Sequence, residues 1–429
     1  MKRIFLSEVD KVTSIDKGNN LIAEVNGTIR RVSVEALAGS MGQSHSVLAR
    51  KTWYNNSDQS STLAQSGNPD VVTDYLRNCK LYVFNSAGSK KAEVYRVSGL
   101  APSSNAIIFT DGTAKTCEVL NTAGCNFMVK RPELGILSTT EDEKAVLYFA
   151  GTGAIDGGYQ MPAKYIGMFK AYNDGGTLKS QPNRIPTSGL NISTFFSYAQ
   201  AGGNGYCLWN YTDWCKENAI HLSYFGSTNY EVNVGTGRID NYAKVRNIVT
   251  GYTLGLYGSG VNLMKCGTKA TVDTDGTAVN CLNFFGLEGI GEQVWEFVQG
   301  IRFDDTKAYV WNNNAMSESY NVSDVRSFDR AVTGTSSNCI ATVKGGKYFD
   351  MLPNTTVSDT TFLKGFCDGG YFATAGRVLR VGGSADLGSL CGLSCSSATI
   401  AFGAPAADLG ARLAFYGDPQ TVTGSELLS

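Results

Sequence analysis

The residues with the most chemistry to offer are few and scattered. Eleven cysteines occur, and no two stand as Cys-x-x-Cys. Zinc sites use that spacing, so the cysteines read as small buried hydrophobes kept reduced. Histidine occurs only at His45 and His221. A His-based metal site or hydrolase would need both in one place. Asp273-Thr274-Asp275-Gly276 has the start of a calcium-binding loop but lacks a third ligand position and a closing Glu, and a β-turn explains it more simply. The glycine-rich run Gly151 to Gly157 lacks the strand-to-helix context and the lysine of a phosphate loop. No Gly-x-Ser-x-Gly elbow is present. The aromatic residues Tyr206, Trp209, Tyr211 and Trp214 have faces for a sugar, but their placement across a strand-to-helix junction reads as core.

Composition narrows the classes further. The chain has 429 residues, enough for a sizeable core and roughly two or three domains. Lys plus Arg is 37 and Asp plus Glu is 38, so no basic excess points to nucleic acid. Charged residues are only 17%, against 49 glycines. This suits a turn-rich β protein whose surface binds through neutral polar and aromatic groups. No run approaches the ~18 consecutive apolar residues of a membrane span, so no membrane insertion is expected. The apolar start at Ile4 stops at Ser7-Glu8, short of a signal-peptide core, and predicts a protein made in the cytoplasm.

The expected fold class is mostly β with an α+β C-terminal domain, in three parts. Residues 1–45 form a small N-terminal arm. Within it Leu21 to Val25, Asn26-Gly27 and Thr28 to Val34 predict a hairpin with a type I′ turn. So short a piece cannot build its own core. It either anchors the chain to a particle or docks on the domain that follows. Residues 46–150 read as a β-sandwich-like domain, with strands at Lys80 to Asn85, Ala92 to Ser98, Ala106 to Thr110 and Ala145 to Ala150. Residues 151–429 are dense in glycine and aromatics. Helices are expected near Trp209 to Ile220, capped by Asn210 or Thr212, and from Ile192 to Ala201.

Two stretches of this last part resemble a known family. Gly286-Leu287-Glu288-Gly289-Ile290-Gly291-Glu292-Gln293-Val294-Trp295-Glu296-Phe297-Val298-Gln299-Gly300 resembles the GLEN-x-x-G-x-x-W-E-W-V-x-G segment of C-type-lectin-fold proteins related to formylglycine-generating enzymes. Arg380-Val381-Gly382-Gly383-Ser384 and Gly410-Ala411-Arg412-Leu413-Ala414 look like that family's R-x-GGSW turn and closing strand. The likeness is best to its phage branch, which includes the variable proteins of diversity-generating retroelements. Arg184 to Ser188, the helix near Trp214 and Thr250 to Thr253 add to it. In that branch the interval between the last two motifs is the variable surface. Ala385 stands where the family usually has Trp, which marks either altered packing or an exchangeable position.

The residues themselves agree with a display surface. Trp295 and Phe297 flank Glu296 with period two, so both can face a core while Glu296 faces out or pairs. Ser384 to Leu409 is nearly free of charge and of large side chains apart from Phe402. Small side chains held by glycine turns tolerate exchange without loss of fold. The ligand-facing residues are expected to be Ser384, Ala385, Asp386, Ser389, Phe402, Ala406 and Asp408. Trp295, Phe297, Gly382, Gly383 and Arg412 are assigned to scaffold. The resemblance implies a virion fibre protein, a homotrimer attached through its arm to other virion proteins, that binds a host cell-surface protein or glycan without a cofactor. Two alternatives stand beside it. One is a purely structural capsid decoration. The other is a copper oxidase using Cys391 and Cys395, whose spacing differs by one residue from that of the enzymes.

Overall fold

Period-two alternation builds the centre of the protein. In Lys80–Phe84, Leu81 and Val83 join one core, while Tyr82 and Phe84 join another. Asn126–Arg131 divides the same way, with Phe127 and Val129 against Met128. So does Tyr206–Leu208, with Cys207 against Tyr206 and Leu208. Strands buried on both faces need a covering layer on each. The helix Tyr211–Phe225 supplies Trp214 and Ile220 to the first core. The helix Ile192–Gln200 supplies Phe195, Phe196 and Ala199 to the second.

The computed structural model describes residues 9–15, 20–25, 28–33, 49–54, 63–99, 101–141, 144–261, 264–304, 307–311, 325–329, 334–358, 366, 368–372 and 377–429. The chain is mostly β. One large mixed sheet runs in the order Asp350–Val357, Gly334–Gly345, Gly369–Phe372, Ser396–Ala401, Arg377–Val381, Trp295–Val298, Leu409–Phe415, Lys164–Lys170, Asn126–Arg131, Lys80–Phe84, Lys90–Ser98, Ala106–Phe109, Ala114–Thr116. Leu409–Phe415 is its centre. It pairs in parallel with Trp295–Val298, and antiparallel with Lys164–Lys170 and Tyr206–Leu208. A five-stranded sheet (Tyr159–Met161, Leu134–Glu141, Lys144–Phe149, Ala49–Tyr54, Ala64–Gly67) adds Leu134, Ile136, Leu147 and Phe149 to the first core.

The large sheet passes residue 150 without a break. Asn126–Arg131 pairs with Lys80–Phe84 on one side and with Lys164–Lys170 on the other. The stretches 46–150 and 151–429, expected as two domains, therefore share a sheet and a core. The four strands expected before residue 150 form, as Lys80–Phe84, Lys90–Ser98, Ala106–Phe109 and Lys144–Phe149. Two helices there, Asp70–Arg77 and Cys117–Thr122, were not anticipated. The first shows its periodicity only in Val72, Tyr75 and Leu76, which are its buried residues.

Capping explains the other helix starts. The Asn210 side chain accepts from the Asp213 N–H, and the Asp213 carboxylate accepts from the Asn210 N–H. Asn191 caps the Ile192–Gln200 helix in the simpler way, accepting from Thr194 N–H. Near the N-terminus Asn20–Val25 pairs with Thr28–Ser33, Val25 opposite Thr28 across Asn26-Gly27, and Val9–Ile15 pairs on its other side. His45 lies outside the described residues. No helix among the described residues is long and apolar enough to cross a membrane.

Candidate ligand-binding surface

The frame comes from the two family-like motifs. Trp295 and Phe297 are buried in the second core. Glu296, on the opposite face of the same strand, is also buried and meets Arg412. The Arg412 Nε and Nη2 donate to the two Glu296 oxygens, each at 2.7 Å. Its Nη1 donates to the Gly167 and Met168 carbonyls, and Nη2 also to that of Glu288. A buried ion pair needs such complete satisfaction to offset desolvation. Glu288, another motif residue, accepts from the Gly251 and Thr253 N–H groups and from the Thr253 hydroxyl. It thereby ties the 250–253 segment to the frame. Lys170 donates to the Glu292 and Val294 carbonyls. Burial lowers the Lys170 ammonium to about 8 and raises the Glu292 carboxyl to about 7.

The interval itself starts from Arg377–Val381 and turns at Gly382 and Gly383, both with φ of 92°. A Cβ on Gly383 would lie 2.6 Å from the Cys391 sulfur, so the position needs glycine for space as well as for backbone conformation. The loop closes on itself. Gly382 N–H donates to the Cys395 carbonyl and Gly392 N–H to that of Gly382. The chain then runs through Ser396–Ala401 and an outer turn into Leu409–Phe415.

Burial divides this interval cleanly. Residues 381 to 385 and 390 to 398 are buried, whereas 386 to 389 and 399 to 408 are exposed or half-exposed. Asp386 and Ser389 are exposed, and Phe402, Ala406 and Asp408 half-exposed, so these five can meet a ligand. Ser384 and Ala385 cannot. The Ser384 hydroxyl, 1% exposed as a residue, donates to Asp386 Oδ1 at 2.6 Å. Ala385 is wholly buried against Val245 and Val294, and its N–H donates to the Gln293 carbonyl. A methyl group there lets these neighbours close over it, which is the physical reason both residues move from the ligand face to the frame.

Two residues that the sequence did not single out for the surface lie on or beside it. The Arg380 guanidinium lies over the Trp295 ring, 4.4 Å from its centroid, and reaches Asp408 at 3.5 Å and Thr399 at 3.4 Å. Burial raises the Asp408 carboxyl, and Arg380 opposes that. Tyr242 is 46% exposed, and burial followed by the Asp408 and Asp386 charges raises its hydroxyl. Nothing in its local pattern, Asp240-Asn241-Tyr242-Ala243, marks it as a partner of a loop more than a hundred residues away.

The other candidates find ordinary places. Tyr206, Trp209, Tyr211 and Trp214 are all buried, in keeping with core. Asp273 starts a turn. Its Oδ1 accepts from the Asp275 and Thr277 N–H groups, and its Oδ2 pairs with Arg238 at 2.7 Å. With its oxygens so engaged, the Asp273 turn is held by its own backbone and a cation. His221 is packed among Phe225, Tyr230 and Phe284, and burial lowers its imidazole to about 3. The Cys391 thiol donates to the Ser384 carbonyl at 3.0 Å. Burial pushes the Cys391 and Cys395 thiols up from their ordinary range. Among the described residues no group of three His, Cys, Asp or Glu side chains is arranged to hold a metal ion. No protein-family model matches the chain, and no curated protein matches it.

Proposed function

We propose that this chain is a binding protein of a phage-type virion fibre and that residues 386–389 and 399–408 receive its ligand, a host-surface protein or glycan. The observation that carries the reading is the division of the 381–415 interval. A buried frame, pinned by the Arg412–Glu296 pair, supports an outer face of small and aromatic side chains that are exposed or half-exposed. The C-type-lectin fold, implied by the motifs around Trp295 and Arg412, would give that face its role. The N-terminal strands would attach the chain to other virion proteins. A homotrimer would strengthen individually weak contacts by avidity.

Attachment of the labelled, purified chain to host cells tests this, together with electron microscopy of virions decorated with antibody to the chain. Ser389→Arg places a bulky charge at an exposed position of the outer face, and should lower attachment about tenfold or more while leaving the thermal midpoint in place. Antibody should mark fibres. A chain that attaches to no host cell, or a variant that attaches as well as the parent, contradicts the reading and leaves a structural decoration in its place.

A further inference from the structure

We propose that residues 238–248 form a strap that sets the position of the 385–389 part of the ligand loop, with Gln293 as its joint and Asp273 as its anchor. The inference rests on reading 386–389 and 399–408 as the ligand face, and adds the residues that position the first of these stretches from behind. Three observations carry it: a strained joint, hydrogen bonds from strap to loop, and an anchor outside the interval.

The joint is Gln293, which is buried and has a φ of 61°. A side chain other than glycine rarely adopts that left-handed backbone, and does so where its surroundings fix it. Three bonds fix it here. Its N–H donates to the Arg238 carbonyl at 2.9 Å, and its Nε2 donates to the Ile248 carbonyl at 3.0 Å. Its own carbonyl accepts from Ala385 N–H at 2.9 Å. Both ends of the strap and the start of the loop thus meet on one residue.

The loop leans on the strap at two further points. Gly388 N–H donates to the Ile239 carbonyl at 2.9 Å, and Val245 packs with Ala385 and Val294. The strap in turn lies tight on the frame. Arg238 N–H donates to Glu292 Oε2 at 3.2 Å, and a Cβ on Gly237 would collide with that carboxylate. The loop's inner bonds are of another kind. Gly382 N–H to the Cys395 carbonyl and Gly392 N–H to the Gly382 carbonyl run within the loop and do not involve the strap. The part that carries exposed Asp386 and Ser389 is the part bonded to the strap.

The anchor is the Asp273 turn. Asp273 Oδ2 pairs with Arg238 at 2.7 Å and with Lys244 at 3.4 Å, and Lys244 also donates to Thr277 Oγ1 at 2.9 Å. Asn247 donates to Asp275 at 2.7 Å, and its carbonyl accepts from Thr274 N–H at 2.9 Å. Asp273 Oδ1 accepts from the Asp275 and Thr277 N–H groups, so the turn keeps its own shape. The strap therefore lies between a self-held turn and the ligand loop. Asp273 and Gln293 are both buried, and act on the outer face as positioning residues.

Hydrogen exchange of the full chain, read residue by residue, tests the proposal without a ligand. Asp273→Asn keeps an oxygen for the two turn N–H groups and removes the charge that holds Arg238 and Lys244. The Ala385 and Gly388 amides should then exchange about tenfold faster, while Gly382 and Gly392 stay as in the parent. Gln293→Leu should act alike, and Gln293→Gly, which adopts the same φ without cost, should lose less protection. Thermal midpoints show whether each variant is folded, and Lys244→Met carries the same test if Asp273→Asn does not fold. Unchanged exchange at Ala385 and Gly388 in folded variants overturns the proposal, as does faster exchange that includes Gly382 and Gly392. Attachment to host cells is the second readout. Asp273→Asn should lower it about threefold or more, although the residue lies off the outer face. A loosened loop that attaches as well as the parent overturns the positioning role. If the parent attaches to no cell, the ligand reading falls and hydrogen exchange still decides the strap.

Discussion

Arg412 and Arg380 lie two strands apart in one sheet, and their surroundings differ in kind. Arg412 is wholly buried, bonded to both Glu296 oxygens and to three carbonyls. Arg380 rests on Trp295 and makes only long contacts, at 3.5 Å to Asp408 and 3.4 Å to Thr399. The first geometry has one solution, because every donor is committed and burial penalises any donor set free. The second is held by fewer and longer contacts. The same division appears along the chain, with the interior turn 382 to 385 buried and the outer stretch 399 to 408 exposed or half-exposed. Buried and exposed stretches thus alternate along one interval, separated by a few residues.

That contrast can be broken most forcefully at Arg412. Arg412→Met removes the cation and leaves the Glu296 carboxylate buried, with Lys170 at 3.9 Å as its nearest cation among the described residues. A loss of about 3–5 kcal/mol in denaturant unfolding is expected. A loss below ~1 kcal/mol would mean that the frame is not held by this pair. Gly383→Val comes next. It combines a φ of 92° with a Cβ placed 2.6 Å from Cys391 Sγ, for an expected loss of about 3 kcal/mol by the same measurement.

A smaller, pH-dependent effect should come from His221. Unfolded, the imidazole protonates near 6.5, whereas in the folded chain burial delays this to about 3. Between those values the unfolded chain binds more protons, so His221 makes stability fall as pH falls. His221→Gln should flatten the slope of stability against pH across that window. An unchanged slope would show that the ring is not sealed. The smallest effect should be at Ser389→Ala, where the exposed hydroxyl predicts a change within ~0.5 kcal/mol. Equal losses at Gly383 and Ser389 would erase the distinction between frame and face.

Much of the frame was legible in the sequence, because its signals are local. Period two around Glu296 predicts Trp295 and Phe297 on one core, and Asn210 predicts a helix start. Asn26-Gly27 predicts the hairpin between Asn20–Val25 and Thr28–Ser33. What was not legible depends on contacts distant in sequence. The continuity of the sheet across residue 150 rests on Lys164–Lys170 choosing Asn126–Arg131 as a neighbour. Neither strand's pattern states that choice. Ala385 read as exposed because small residues suit a surface. Its burial comes from Val245 and Val294, brought in by separate segments. The segment around Ile239 meets the loop for the same reason, through the Gly388–Ile239 hydrogen bond.

The division itself is tested most directly by substituting every position from 381 to 415 and reading the folded fraction of each variant. Losses are expected to gather at 382 to 385, 390 to 398 and 409 to 415, while 386 to 389 and 399 to 408 accept most side chains. Losses spread evenly over the interval, or concentrated in 399 to 408, would contradict it.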